Sequence, residues 1–225
     1  MKRLPWTFFL ISLSLTVAGQ RNADYGVFGG VSSYFGDINP GRILYSPLPA
    51  GGIFYRYNIH PRNAFRASLF FGGLHANDLD FGNSFQINRA ASFSGSVGEL
   101  AVQYEFNFLP YSTFGKPLDF SPYFAAGAGV AFFNTVSSTF KPLIPFSLGF
   151  KINIYKNLGL EAEYGFRKTF YDNFDGLKDP VAPSDAGWIH NNDWYSFGGI
   201  SFTWKIYNKL AGCPAFSDVD GKRKR

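Results

Sequence analysis

Three histidines, one cysteine and a cluster of aspartates are the side chains of this 225-residue chain best suited to acid–base, nucleophilic or metal chemistry. Nucleophilic catalysis needs a hydroxyl or thiol with a base within hydrogen-bond reach. His60 belongs to a His60-Pro61-Arg62-Asn63 turn signature, while His75 and His190 fall beside long connections, so the three do not converge. A serine paired with His75 or His190 is the enzymatic alternative, a hydrolase acting on lipid, but the chain has no nucleophile-elbow motif. Asp172, Asp175, Asp179, Asp185 and Asp193 crowd one segment, yet Asp172-Asn173-Phe174-Asp175-Gly176 lacks the alternating oxygen ligands and terminal Glu of an EF-hand loop. A hydrated loop is expected there. One Cys builds neither a disulfide framework nor a cysteine-ligated zinc site, and no cofactor or metal is expected.

The elements that hold these residues follow from composition and period. Aromatic residues make up 20% of the chain and charged residues 16%, which argues against disorder. The net charge of +5 sits mostly at the ends, in Lys2, Arg3 and the closing Lys222 to Arg225. The body is nearly neutral, so the basic footprint of a nucleic-acid binder is missing. Residues 1–20 read as a secretory signal: a charged start, an apolar stretch from Phe8 to Ala18 too short to span a bilayer, and a small-residue exit. The mature protein is expected outside the cytoplasm.

Beyond the leader the apolar period is two, the signature of a strand whose successive side chains face opposite ways. Ile144, Phe146, Leu148, Phe150, Ile152 and Ile154 share one face, and Ser147, Lys151 and Asn153 the other. The same rule predicts strands near 23–34, 47–59, 64–75, 92–108, 120–133, 141–154, 158–171 and 193–206. Connections alternate between long and short, except that 134–141 is shorter than the pattern prefers. That layout predicts an all-β fold, an eight-stranded antiparallel transmembrane barrel of the outer-membrane type over residues 21–206, with both termini periplasmic and a tail at 207–225.

Alternation alone does not say which face points out. The polar face carries both signs, Arg56, Arg66, Lys151 and Arg167 against Glu99, Glu105, Glu161 and Glu163, amid small residues. A narrow lumen requires such compensation, because unpaired buried charges are costly, so a filled barrel with a lumenal charge network is expected. Tyr55, Tyr57, Tyr104, Phe108, Tyr123, Phe133, Trp194 and Trp204 lie toward strand ends, as interfacial girdles against outer-membrane lipids would, with ordinary core as the alternative for some of them. In the last strand Ile200, Phe202 and Trp204 look like the insertion signal read by barrel-assembly machinery.

With the strands placed, the chain resembles the PorG family of the type IX secretion system of the Bacteroidota, small outer-membrane barrels with a DUF6089-type domain. The pieces that carry the likeness are Tyr34-Phe35-Gly36-Asp37-Ile38-Asn39-Pro40, Phe54-Tyr55-Arg56-Tyr57-Asn58, and Gln103-Tyr104-Glu105-Phe106-Asn107-Phe108-Leu109-Pro110. Further along come Gly165-Phe166-Arg167-Lys168-Thr169-Phe170, Asn192-Asp193-Trp194-Tyr195 and Cys213-Pro214-Ala215-Phe216. The resemblance implies a non-enzymatic assembly role without a small-molecule substrate, tying a periplasmic ring of PorK-type lipoprotein and PorN-type protein to the outer membrane. Cys213 has no partner in its own chain, and in an exported protein that points to an intermolecular disulfide, here with the ring lipoprotein; a buried free thiol is the alternative. Pro214 and Phe216 are expected to dock beside it. A structural or adhesin-like barrel acting through its outer loops is the competing reading.

Overall fold

Aromatic and β-branched residues at every second position pack well on a pleated surface, and the computed structural model forms eight strands from them. They are β1 (Ala23–Phe35), β2 (Leu48–His60), β3 (Asn63–Asn77), β4 (Ser92–Asn107), β5 (Phe120–Asn134), β6 (Ser138–Tyr155), β7 (Leu158–Thr169) and β8 (Trp194–Ile206). The structure describes residues 23–36, 38, 39, 41–82, 84–111, 118–134, 138–155, 157–170 and 194–206. The leader and the tail, with Cys213, Pro214 and Phe216, lie outside them, as does the aspartate-rich segment up to Asp193 with His190.

Each strand pairs antiparallel with the next, and β8 pairs back onto β1 from Ala23↔Ile206 to Phe35↔Trp194. No sheet edge is left open, the arrangement a lipid environment demands because it offers no water to an unpaired N–H or C=O. A 13-residue strand such as β1, at about 3.3 Å per residue and tilted by about 40°, rises about 33 Å, enough to cross an apolar band of about 25 Å.

The polarity of the barrel is inverted relative to a water-soluble one. Val27, Ile53, Phe71, Leu100, Val102 and Leu148 point outward and are exposed, while Arg56, Arg66, Glu99, Glu105, Lys151 and Arg167 point inward and are at most 1% exposed. The fold is therefore an eight-stranded antiparallel transmembrane β-barrel with a filled polar lumen, as the alternation and the compensated charges of its polar face together predicted.

Three details depart from the sequence reading. β6 begins at Ser138 rather than 141, leaving only residues 135–137 between it and β5; Pro142 and Pro145 interrupt the local pattern and hide its start. The β3–β4 connection, read as a plain loop, holds a 3₁₀ turn (Asp78–Asp80) and a short helix α1 (Ser84–Arg89), too short for a helical period to show. Tyr123 and Phe133 are not girdle residues. They share the parity of Ser121, Ala125 and Ala131 and are buried inside the barrel. Tyr57, Tyr104, Phe108 and Trp204 are exposed on the outer side, and Tyr55 and Trp194 are half-buried there.

Candidate functional site

Antiparallel pairing places Arg56 of β2 directly opposite Arg66 of β3, and Lys151 of β6 opposite Glu161 of β7. Two guanidinium groups side by side require carboxylates from the far wall, and the narrow lumen brings those within reach. The Arg56 Nη1 and Nη2 donate to the two Glu161 carboxylate oxygens at 2.6 Å each, and its Nε donates to Glu105 Oε2 at 2.6 Å. Arg66 forks onto Glu163 and also donates to Gln103 Oε1 at 2.7 Å. Lys151 Nζ donates to Glu105 Oε2 at 2.6 Å and Asn107 Oδ1 at 3.1 Å. Toward the other rim, Arg167 Nε donates to Glu99 Oε2 at 3.2 Å, and the Tyr195 hydroxyl donates to the same oxygen at 2.7 Å.

The structure thus brings together all eight charged residues singled out on the polar face. Asp24, Gln103, Asn107, Tyr123 and Tyr195 join them, each at an inward position of the same alternation. Glycines make the room: a Cβ at Gly149 would lie 2.5 Å from the Tyr123 ring, and one at Gly26 2.1 Å from that of Phe54. Glu163, at 7% exposure, is the most accessible of the eight.

Toward the long-connection rim the lumen turns aromatic. Phe28 stacks on Phe70 at 4.7 Å, Phe197 meets both edge-on, and Tyr195 meets Phe133 at 5.8 Å. Over this plug the β1–β2 and β3–β4 connections lock together. Gln86 Nε2 donates to the Ile38 carbonyl at 2.9 Å, and the Tyr45 hydroxyl accepts from Asn77 N at 3.1 Å and donates to Asp80 Oδ2. Arg89 Nε and Nη2 each donate to the Asp78 carboxylate at 2.6 Å, and Ala91 N adds a third bond at 3.0 Å. Burial pushes the Asp78 carboxyl up, but the Arg89 fork and the Ala91 amide outweigh it and hold it below the ordinary carboxylate value. Ile43, Leu79, Phe85 and Ile87 project from this cap, exposed.

At the opposite rim the short turns are braced together. Asn107 N donates to the Arg62 carbonyl at 2.7 Å, Tyr111 N to that of Pro61 at 3.0 Å, and Lys205 N to that of Asn157 at 3.1 Å. Burial, with nearby carboxylates, pushes the Tyr111 phenol up.

Of the histidines, His60 Nδ1 accepts from Arg62 N in the turn, and His75 pairs across strands with Ser94 on the outward face without a hydrogen bond between their side chains. Among the described residues no group of three His, Cys, Asp or Glu is arranged to hold a metal ion. Ile200, Phe202 and Trp204 all point outward and are exposed. A groove of about 440 Å³ marks the outer wall between Pro49, Phe71, Gly73, Gly98 and Phe132.

Residues 2–215 match a protein family described as a domain of unknown function, DUF6089. No curated protein matches the sequence. Neisserial surface protein A superposes with a TM-score of 0.53 at 11% identity, covering 82% of this chain and 97% of that one. A major outer-membrane protein of Thermus thermophilus gives 0.44 at 14%, covering 83% and 100%. The N-terminal barrel of Pseudomonas aeruginosa OprF gives 0.43 at 13%, covering 82% and 98%. The likeness to the Neisserial protein is one of fold.

Proposed function

The chain belongs to the DUF6089 family, and from that membership and the geometry of its barrel we propose that it is a non-enzymatic outer-membrane protein acting as a membrane-fixed anchor. In its specific form, the proposal is the PorG-like component of a type IX secretion system, which ties a periplasmic ring of PorK-type lipoprotein and PorN-type protein to the outer membrane.

The observation that carries this reading is the filled lumen. Among the described residues, charged layer, aromatic plug and cap fill the barrel interior, which suits a protein that acts through its surfaces. Ala23 and Ile206 pair at the rim of the short turns. On this reading both termini face the periplasm, and residues 207–225 follow from a rim that is already braced by the turn contacts. A rigid platform suits a stationary partner.

The test is a non-reducing gel of native outer membranes from wild type and Cys213→Ser. A larger, reducible band containing a periplasmic lipoprotein and absent from the variant is the expected result. Free monomeric Cys213, together with failure of the ring proteins to co-purify, sinks the proposal.

One observation favours a second reading. Phe85 and Ile43 project from the cap at 68% and 64% exposure, as a loop-mediated adhesin or structural barrel would require. Loss of function on trimming the cap, with trimming of the tail harmless, selects that alternative.

A further inference from the structure

Lys168 breaks the rule that every other charged side chain in the eight strands obeys. Those residues fall on the inward parity, whereas Lys168 takes an outward position on β7, next to the last strand residue and opposite Ile144 and Trp194. An ammonium on a lipid-facing wall is tolerated near the interface and strongly disfavoured at the midplane. Its place at the long-connection rim is therefore the level where lipid headgroups begin.

The surroundings of Lys168 are built rather than incidental. Its Nζ lies 5.5 Å from the centre of the Trp194 ring, a cation–π arrangement that fixes the flexible side chain. Trp194 meets Phe146 edge-on at 5.8 Å, Phe146 meets Phe166 at 6.0 Å, and Phe166 meets Tyr164 at 5.3 Å and Phe35 at 6.0 Å. The Tyr164 hydroxyl is turned back onto Ser196 Oγ at 3.1 Å and so does not compete for a ligand. Among the described residues no carboxylate lies within ion-pair distance of Lys168. One cation therefore stands over a continuous aromatic shelf, at headgroup height, with no protein anion among the described residues to neutralise it.

We propose that Lys168 and Trp194 form a headgroup site for a phosphate-bearing lipid in the leaflet that meets the long-connection rim. The ammonium pairs with the phosphate as a point charge, and the Phe146, Phe166 and Phe35 rings lie against the upper acyl chains. The inference rests on the reading of the chain as a membrane-spanning barrel.

The test is native mass spectrometry of the full chain in detergent with dimyristoylphosphatidic acid or dimyristoylglycerol, two lipids that differ only by the phosphate. Wild type is expected to retain the phosphatidic acid about fivefold better, the effect of one lysine at an anionic surface. Lys168→Met should abolish the preference, Lys168→Arg should keep it, and Trp194→Leu should reduce it. Heat-modifiable migration checks folding, and where Lys168→Met does not fold, the wild-type comparison of the two lipids decides alone. Displacement of phosphatidic acid by an equal concentration of inorganic phosphate would overturn the lipid assignment in favour of a free anion. A folded, inserted barrel that holds both lipids equally overturns the site while leaving the membrane reading intact. A chain that is neither heat-modifiable nor protease-protected in vesicles overturns both.

Discussion

Arg56 and Glu161 face one another across the lumen as a two-pronged ion pair, although they are 105 residues apart in the chain. Both guanidinium–carboxylate contacts measure 2.6 Å, and each side chain is 1% exposed. Because Arg56 also holds Glu105, which in turn holds Lys151, the pair is the junction of the lumenal network and not an isolated bridge.

Removal of that junction leaves buried carboxylates without their counter-charge. Arg56→Met is expected to destabilise the folded barrel by about 3–5 kcal/mol, the range for breaking one partner of a buried pair. Arg56→Met combined with Glu161→Leu should recover much of the loss, since the uncompensated charge goes with the arginine. Urea unfolding in lipid vesicles, followed by tryptophan fluorescence, measures both. A single variant costing under about 1 kcal/mol would mean that water reaches the site and screens it.

Closure of the barrel depends on a close approach between β1 and β8. A Cβ at Gly199 would sit 2.4 Å from the Gly29 carbonyl oxygen and 2.6 Å from the Gly30 Cα, both rigid backbone atoms. Gly199→Val is expected to lower the fraction of compact, heat-modifiable barrel on detergent gels. Gly29→Ala is the matched control, because its Cβ would meet nothing within 4 Å. Equal folded fractions in the two variants would refute a steric requirement at the seam.

The cap carries its own pH dependence. Asp78 titrates below its unfolded value, so its contribution is fully present above the unfolded pKa of about 3.9 and is lost as pH falls through the lower folded value. Amide protection in residues 77–91, with the intrinsic pH dependence of exchange divided out, should therefore fall below about pH 4 while the strands stay protected. Asp78→Asn should accelerate exchange in the cap already at neutral pH, because the Arg89 fork loses its charged acceptor. Unchanged protection in that variant would show that packing of Ile38 and Phe81 holds the cap without the ion pair.

Much of this arrangement was legible in the chain as written. The alternation predicts β1 over 23–34 and β8 over 193–206, and they run Ala23–Phe35 and Trp194–Ile206, because the pleat is a local property with a period of two. The charged members of the lumen were legible for the same reason: away from the membrane interfaces, a charge on a barrel strand has one tolerable side. Tyr123 and Phe133 were not, since β5 carries aromatics on both faces, Phe120, Phe124 and Phe132 outward and these two inward. A ring is equally at home in lipid and in a packed lumen, so residue type alone does not assign its side.

The sequence by itself determined the number of strands, their parity and the inversion of polarity, all of which depend on neighbours a few residues apart. Only the tertiary structure decided that Arg56 meets Glu161, that Asp78 and Arg89 close the cap, and that Lys168 stands over Trp194. These partners are set by how far each strand slides past the next around a closed barrel and by how the connections fold across its mouth. Shear and closure sum over all eight pairings, and no local stretch of the chain contains that sum.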